Sequence, residues 1–328
     1  MSKDVFYVGI DVGQEELWVA VEGCRARRFR HTVHGIKSLY GWVKECSNGS
    51  PLHLCMEATG VYSESLAVYL NSLGEMTISI VNPALIRSFG RAQLRRTKTD
   101  AVDAQVILAF AQSQRPAGWV KPSGAMQQLH ELVTQLDALK EDLQRWTNRG
   151  HNHKYQKHLP AVVKRTQKAM VTSIKRQIDK LEQALEELCQ ENEQLDSQVR
   201  LLCTIPGIAQ LTATHLLAYG KNHLWEYSPK ALTAHAGLAP GHRQSGISIK
   251  GKSHIAKQGN RSLRKTLYMP TLVAIKHNPV LRAKYEQLVA NGKPKKLAVV
   301  ACMRKMLLLT QTILRKKEPF KYEIITLT

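Results

Sequence analysis

Four carboxylates and one serine are the residues of this 328-residue sequence whose types and spacing best fit chemistry on a phosphodiester. Asp11 closes a short apolar run in GIDVG, and Glu57 closes another in CMEATG. Asp100 and Asp103 stand three residues apart in KTDAVDA, so on a helix they share one face. Each acid also has a plain structural reading. Asp11 can stabilise its turn, and Asp100 and Asp103 can be first-turn acids favoured by the helix dipole, with Thr99 as cap. Glu57 resists that reading, because a carboxylate at the end of a buried run is costly without a partner. Brought together, four carboxylates repel, and a hard divalent cation bound through oxygen relieves the repulsion. Metal held in this way orients and polarises a phosphodiester for in-line attack.

The nucleophile is sought in residues 237–252, GLAPGHRQSGISIKGK, where Ser245 precedes a glycine and is ringed by Arg243, Lys250 and Lys252. A serine hydroxyl needs activation, and nearby cations can hold a phosphate. On chemistry alone Ser248, Ser253 and Ser262 serve equally well. Lys257, Arg261, Arg264 and Lys265 extend the basic set as candidate nucleic-acid contacts.

Charge singles out the same half of the chain. Lys and Arg total 47 against 26 Asp and Glu, a net +21. From Arg200 onward there are 22 Lys and Arg against four Glu and no Asp. Such a surface repels itself unless a polyanion neutralises it, which favours nucleic acid over a membrane surface. The same scarcity of acids means that any cation site belongs to the N-terminal part. Six cysteines without a C-x-x-C pair read as buried thiols of a reducing compartment. With no signal-peptide pattern and no apolar run approaching the about 20 residues of a membrane span, a cytoplasmic location is expected.

The elements that must position these residues follow from periodicity. Residues 5–11, 17–22 and 28–33 read as an antiparallel meander, 35–46 as a helix, 52–57 as a buried strand and 62–72 as a helix. Residues 76–81 form another strand, stopped by Asn82-Pro83, and 99–114 a helix. That order is the RNase-H-like α/β fold. A Pro- and Gly-containing hinge at 115–124 ends this first domain, residues 1–124. Residues 125–202 carry leucines at threes and fours with Asn192 as a polar core position, a helical coiled-coil segment read as pairing between chains more than within one. Residues 203–328 form a mainly α-helical basic domain. Within it, IPGI resembles a helix-hairpin-helix turn in which Gly207 lets backbone amides approach a phosphate.

Taken in order, GIDVG, EATG, KTDAVDA, IPGI, GLAPGHRQSG and GNRSLRKTLY resemble the DEDD-type transposases of the IS110 insertion-sequence family, bridge-RNA-guided serine recombinases, over essentially the whole chain. The resemblance implies a RuvC-like domain, a coiled-coil linker and a C-terminal transposase domain. It makes Asp11, Glu57, Asp100 and Asp103 ligands of Mg²⁺ (Mn²⁺ a substitute) and Ser245 the nucleophile. It further implies cleavage through a 5′-phosphoserine, then exchange and rejoining. A non-coding bridge RNA pairs with donor and target DNA, and the protein works as a dimer of dimers. The competing readings are a RuvC-like junction-resolving endonuclease using activated water, a non-catalytic nucleic-acid-binding protein, and an actin-like ATPase suggested by GIDVG alone.

Overall fold

Strand side chains alternate between two faces, and where both faces are apolar the sheet needs a cover on each side. The computed structural model describes residues 4–93, 99–153, 155–156, 158–220, 223–241, 244–245, 249–250, 254–255 and 259–322, with the backbone alone at 223–224, 241, 244–245, 249–250 and 254. Two units make up the chain, Met1–Lys121 and Pro122–Thr328.

In the first unit β1 (Phe6–Val12), β2 (Glu16–Val21) and β3 (Arg27–Arg30) form the meander, followed by α1 (Val33–Ser47), β4 (Leu52–Glu57), α2 (Val61–Leu73), β5 (Thr77–Val81), α3 (Pro83–Ala92) and α4 (Asp100–Gln114). The sheet order is β3-β2-β1-β4-β5, antiparallel within the meander and parallel from β1 through β4 to β5. This mixed sheet fits the RNase-H-like order. One face (Val8, Ile10, Leu17, Leu54 and Met56 among others) packs on Ile36, Leu39 and Val43 of α1 and Leu66 and Leu70 of α2. The other face meets α4, whose Ile107 and Phe110 pack with Cys55 and Val81 and whose Ala104 and Leu108 pack with Ala20. At the crossing over β1, a Cβ on Gly9 would run into the Ala104 carbonyl and the Leu108 amide. Only glycine lets helix and strand approach so closely.

Three local expectations change. β3 stops at Arg30 instead of 33, because Thr32 leaves the sheet to cap α1, accepting from Gly35 N at 3.2 Å. Asn82-Pro83 does end β5, but it also opens α3, a helix that periodicity missed. Asn82 Oδ1 accepts from Ala84 N at 2.9 Å and Pro83 takes the first-turn position, where a missing N–H costs nothing. The hinge is partly docked: Ser79 Oγ donates to Ala117 O at 2.8 Å, and Trp119 N donates to Ile78 O at 2.5 Å.

The second unit contains α5 (Gly124–His153), α6 (Ala161–Glu191), α7 (Glu193–Cys203), α8 (Gln210–Gly220), a 3₁₀ turn at His223–Glu226, and α9 (Pro229–His235). Four two-residue strands follow, β6 (Pro240–Gly241), β7 (Gln244–Ser245), β8 (Ile249–Lys250) and β9 (His254–Ile255). Then come α10 (Arg261–His277), α11 (Pro279–Ala290) and α12 (Lys295–Lys316). α5 and α6 pair as a hairpin inside one chain, bridged by Lys140 to Glu182 at 2.7 Å, where the leucine pattern suggested pairing between chains. Asn192 is not a core position. It breaks the helix and caps α7, accepting from Leu195 N at 3.0 Å. Gly207 has φ 103°, but its side faces α10, where a Cβ would lie 2.7 Å from Pro270 O. Helix packing therefore accounts for that glycine without a phosphate. α12 is, by length and composition, apolar enough to cross a membrane, contrary to the run count above; here it is a core helix burying Cys302, Met306, Leu307 and Ile313. Of the cysteines, Cys55, Cys189 and Cys302 are buried as expected, whereas Cys24 and Cys203 are exposed.

Gly9→Ala tests the helix-on-strand contact. Overpacking there should cost about 1–3 kcal/mol and lower the melting temperature. Alanine at the exposed Gly41, where a Cβ meets nothing within 4 Å, should not.

Candidate active site

Strand register brings the first two acids together. Phe6 to Ile10 of β1 pair with Leu52 to Met56 of β4, so Asp11 and Glu57 are the next residues on adjacent parallel strands. Counting back in twos, Asp11 shares a face with Gly9, and Glu57 with Cys55, which is the face that α4 covers. Asp100 and Asp103 occupy the first turn of α4, whose cap is Thr99, accepting from Val102 N at 3.3 Å. The capping role is thus realised, and it does not compete with a second role for the same acids.

Electrostatics couples all four. Asp11, half-buried, is pushed up to about 6, first by burial and then by the negative charges of Asp103, Asp100 and Glu57. A desolvated carboxylate facing three others is what a hard, oxygen-seeking cation stabilises, so the donor set fits a divalent ion. Among the described residues, however, no trio of Asp, Glu, His or Cys is drawn in far enough to be a ready-formed cation site. The acids are coupled through space without forming a closed ligand set among the described residues. Sequence reasoning passed over Thr59, two residues beyond Glu57, whose buried hydroxyl has no hydrogen-bond partner among the described residues. The available signal was its place in EATG.

A part-buried polar network was also missed. Tyr219 OH of α8 donates to Asp137 Oδ2 of α5 at 2.5 Å, with His215 Nε2 at 3.6 Å from Oδ1. Burial by itself would raise Asp137, but the hydrogen bonds from His215 and Tyr219 and the charge of Lys265 bring it to about 2. This network ties α5 to α8. Its members lie on separate helices, so no local pattern reveals it.

The serine segment is held at its base. Gly259, at φ 124°, packs so that a Cβ would lie 2.8 Å from Gly237 N, and Asn260 N donates to His235 O at 2.7 Å. Asn260 also caps α10, and Arg264 donates to Ala236 O at 3.0 Å. Ser245 pairs with Ile249, and Gln244 with Lys250, in a two-strand ladder. Of the expected nucleic-acid contacts, Arg243, Lys252 and Lys257 lie outside the described residues, as do Ser248 and Ser253, and only the backbone of Lys250 is described. Arg261 is exposed, Arg264 brackets the loop base, and Lys265 pairs with Glu141 at 3.1 Å.

The acid cluster makes a signed prediction. Asp11 stands above its ordinary 3.8, so the folded state holds that proton more tightly than the unfolded chain. Its contribution to stability therefore falls as pH rises from 3.8 to about 6. Asp103→Asn removes one of the neighbouring charges. In chelator-treated protein at pH 7 it should raise the melting temperature and flatten that pH dependence. Added Mg²⁺ should stabilise the native protein more than the variant. Equal melting of the two at pH 7 without metal would refute the coupling.

Comparison with known proteins identifies the family. Residues 8–156 match the DEDD transposase family model of IS110, described as "Transposase", and residues 199–286 match "Transposase IS116/IS110/IS902 family". The chain is 32% identical over 330 residues to a pilin gene-inverting protein of Moraxella bovis, covering 99% of both chains. It is 26% identical over 291 residues to the transposase of insertion element IS1328 of Yersinia enterocolitica, covering 80% of this chain and 82% of that one. With its four acids coupled at one end of a mixed sheet and a full-length relative above 30% identity, the chain belongs to the IS110 family of transposases.

Proposed function

We propose that the protein is an RNA-guided DNA recombinase that cuts and rejoins strands through a 5′-phosphoserine at Ser245. The observation that carries this reading is the electrostatic coupling of Asp11 to Glu57, Asp100 and Asp103 in a transposase-family chain. Those four acids would hold Mg²⁺, or Mn²⁺ as a substitute. When bound, the cation supplies charge neutralisation at the phosphate and a lowered barrier for oxygen attack.

In the chain's own chemistry, the Ser245 oxygen forms a bond to phosphorus while the bond from phosphorus to the 3′ oxygen breaks. The serine proton ends, in the net reaction, on the liberated 3′ hydroxyl. A 3′ hydroxyl from the exchanged strand then attacks the phosphoserine, restoring the diester and the serine hydroxyl. One ester replaces another at each step, so no external energy source is needed. Arg243, Lys250, Lys252, Lys257 and Arg261 hold and orient the phosphates. Arg264 and Lys265 serve through the fold of the loop base and the tie to Glu141. Asp11 must be ionised to ligate the cation, so affinity for the metal weakens as pH drops through about 6, where the metal-free cluster takes up its proton.

Inversion of a DNA segment, the activity named for the Moraxella relative, requires that every cut end be rejoined. That supports transesterification over a junction-resolving endonuclease that would leave hydrolysed ends. The acids and Ser245 belong to different units of the chain, which is compatible with a site completed between copies in a dimer of dimers. A bridge RNA pairing with donor and target DNA would supply sequence choice, leaving the protein to grip backbone.

Two variants test the assignment. Ser245→Ala should abolish covalent protein–DNA adducts on a suicide duplex, and an adduct surviving in this variant would overturn the serine role. Asp11→Ala should lose cleavage by at least about 100-fold while retaining RNA binding and a native melting profile.

A further inference from the structure

A sharp charge boundary runs along the α5/α6 hairpin, which lies in sequence between the acid motifs and the serine segment. Residues 143–178 contain nine Lys and Arg and no Asp or Glu, whereas residues 179–193 contain six acids. On α6, Lys164, Arg165, Lys168, Lys175 and Arg176 fall within an arc of about 120° at about 100° per residue. Ile174 and Ile178 fall outside that arc and are buried in the unit's core. All five cations are exposed, and none makes an ion pair among the described residues. The cations of α5 near the same end are engaged: Arg145 pairs with Asp142 at 2.8 Å, and Arg149 lies over the Trp146 ring at 4.9 Å. The free stripe therefore belongs to α6 and runs for about 18 Å along its axis. The hydroxyls of Thr172 and Ser173 line a shallow concavity together with Arg165, Lys168 and Arg176. Hydroxyls between guanidinium and ammonium groups are the donor set that phosphate backbones take up.

Two occupants compete for this face. A second copy could lay its acidic α6 end on the stripe, but Glu182 of that end is already bridged to Lys140, and another copy adds a further +21 of charge. A duplex instead neutralises the stripe and releases counter-ions. We propose that the cationic face of α6 grips the phosphate backbone of double-stranded DNA without reading its sequence. This contact rests on the DNA-rearranging reading of the chain but is separate from its cleavage chemistry.

The test uses full-length protein and labelled duplexes, one from the ends of the element and one unrelated, titrated over a range of salt. The triple variant Arg165→Gln, Lys168→Gln, Arg176→Gln should bind both duplexes more weakly by the same factor. Its slope of log affinity against log salt should fall by about 3. The double variant Arg165→Lys, Arg176→Lys should keep the native slope, which separates charge from helix stability. An unchanged slope in the triple variant overturns the proposal. A loss confined to RNA overturns it too, as does a fall in oligomer mass with duplex affinity intact. Adduct formation at Ser245 is read separately on the suicide duplex, so failure of the DNA grip and failure of the cleavage reading give different results.

Discussion

The close approach of α4 to β1 is the constraint from which the acid cluster follows. A helix cannot lie against a strand at that spacing over any residue with a Cβ, and Gly9 supplies the gap beneath Ala104 and Leu108. Once the helix is seated there, its first turn acts on the end of β1, and Asp100 and Asp103 bear on Asp11 from a distant part of the chain. Parallel pairing of β1 with β4 adds Glu57 from the side. The acids are thus gathered by packing and register, and none needs a hydrogen bond to another to be held in place.

That gathering has an electrostatic cost, visible in the raised proton affinity of Asp11. A fold optimised for stability alone would not place four carboxylates at the end of one sheet. Strain of this kind concentrates at functional sites, where a ligand offsets it. Elsewhere the same fold manages its ionised groups conventionally. Asp137 is half-buried as well, yet hydrogen bonds from Tyr219 and His215 keep it charged. The contrast between an acid surrounded by side-chain donors and an acid facing three other carboxylates distinguishes scaffold from site.

Charge is segregated along the chain as well. The acids that can serve a cation lie in the first unit, while the second carries an excess of cations. Within the second unit some of those cations are structural. Arg264 binds the carbonyl of Ala236, and Lys265 meets Glu141, so a basic count overstates the surface offered to phosphate. The exposed face of α6 is the opposite case, cations without protein partners among the described residues.

What the sequence by itself determined is whatever depends on near neighbours: strand alternation, helical periods, caps such as Thr99, and the identity of the acids in GIDVG, EATG and KTDAVDA. The strands of the first unit, and the long helices of the second, were legible for that reason. Periodicity misread Asn192 as a coiled-coil core position because a cap and a polar core residue look alike in one dimension. It missed α3 because Asn82-Pro83 stops a strand and starts a helix with the same residues. Only the tertiary structure decided that the four acids share one electrostatic environment, that Gly207 serves packing against α10, and that α5 pairs with α6 within the chain. These outcomes turn on contacts between residues far apart in sequence, and no local pattern encodes the distance between them.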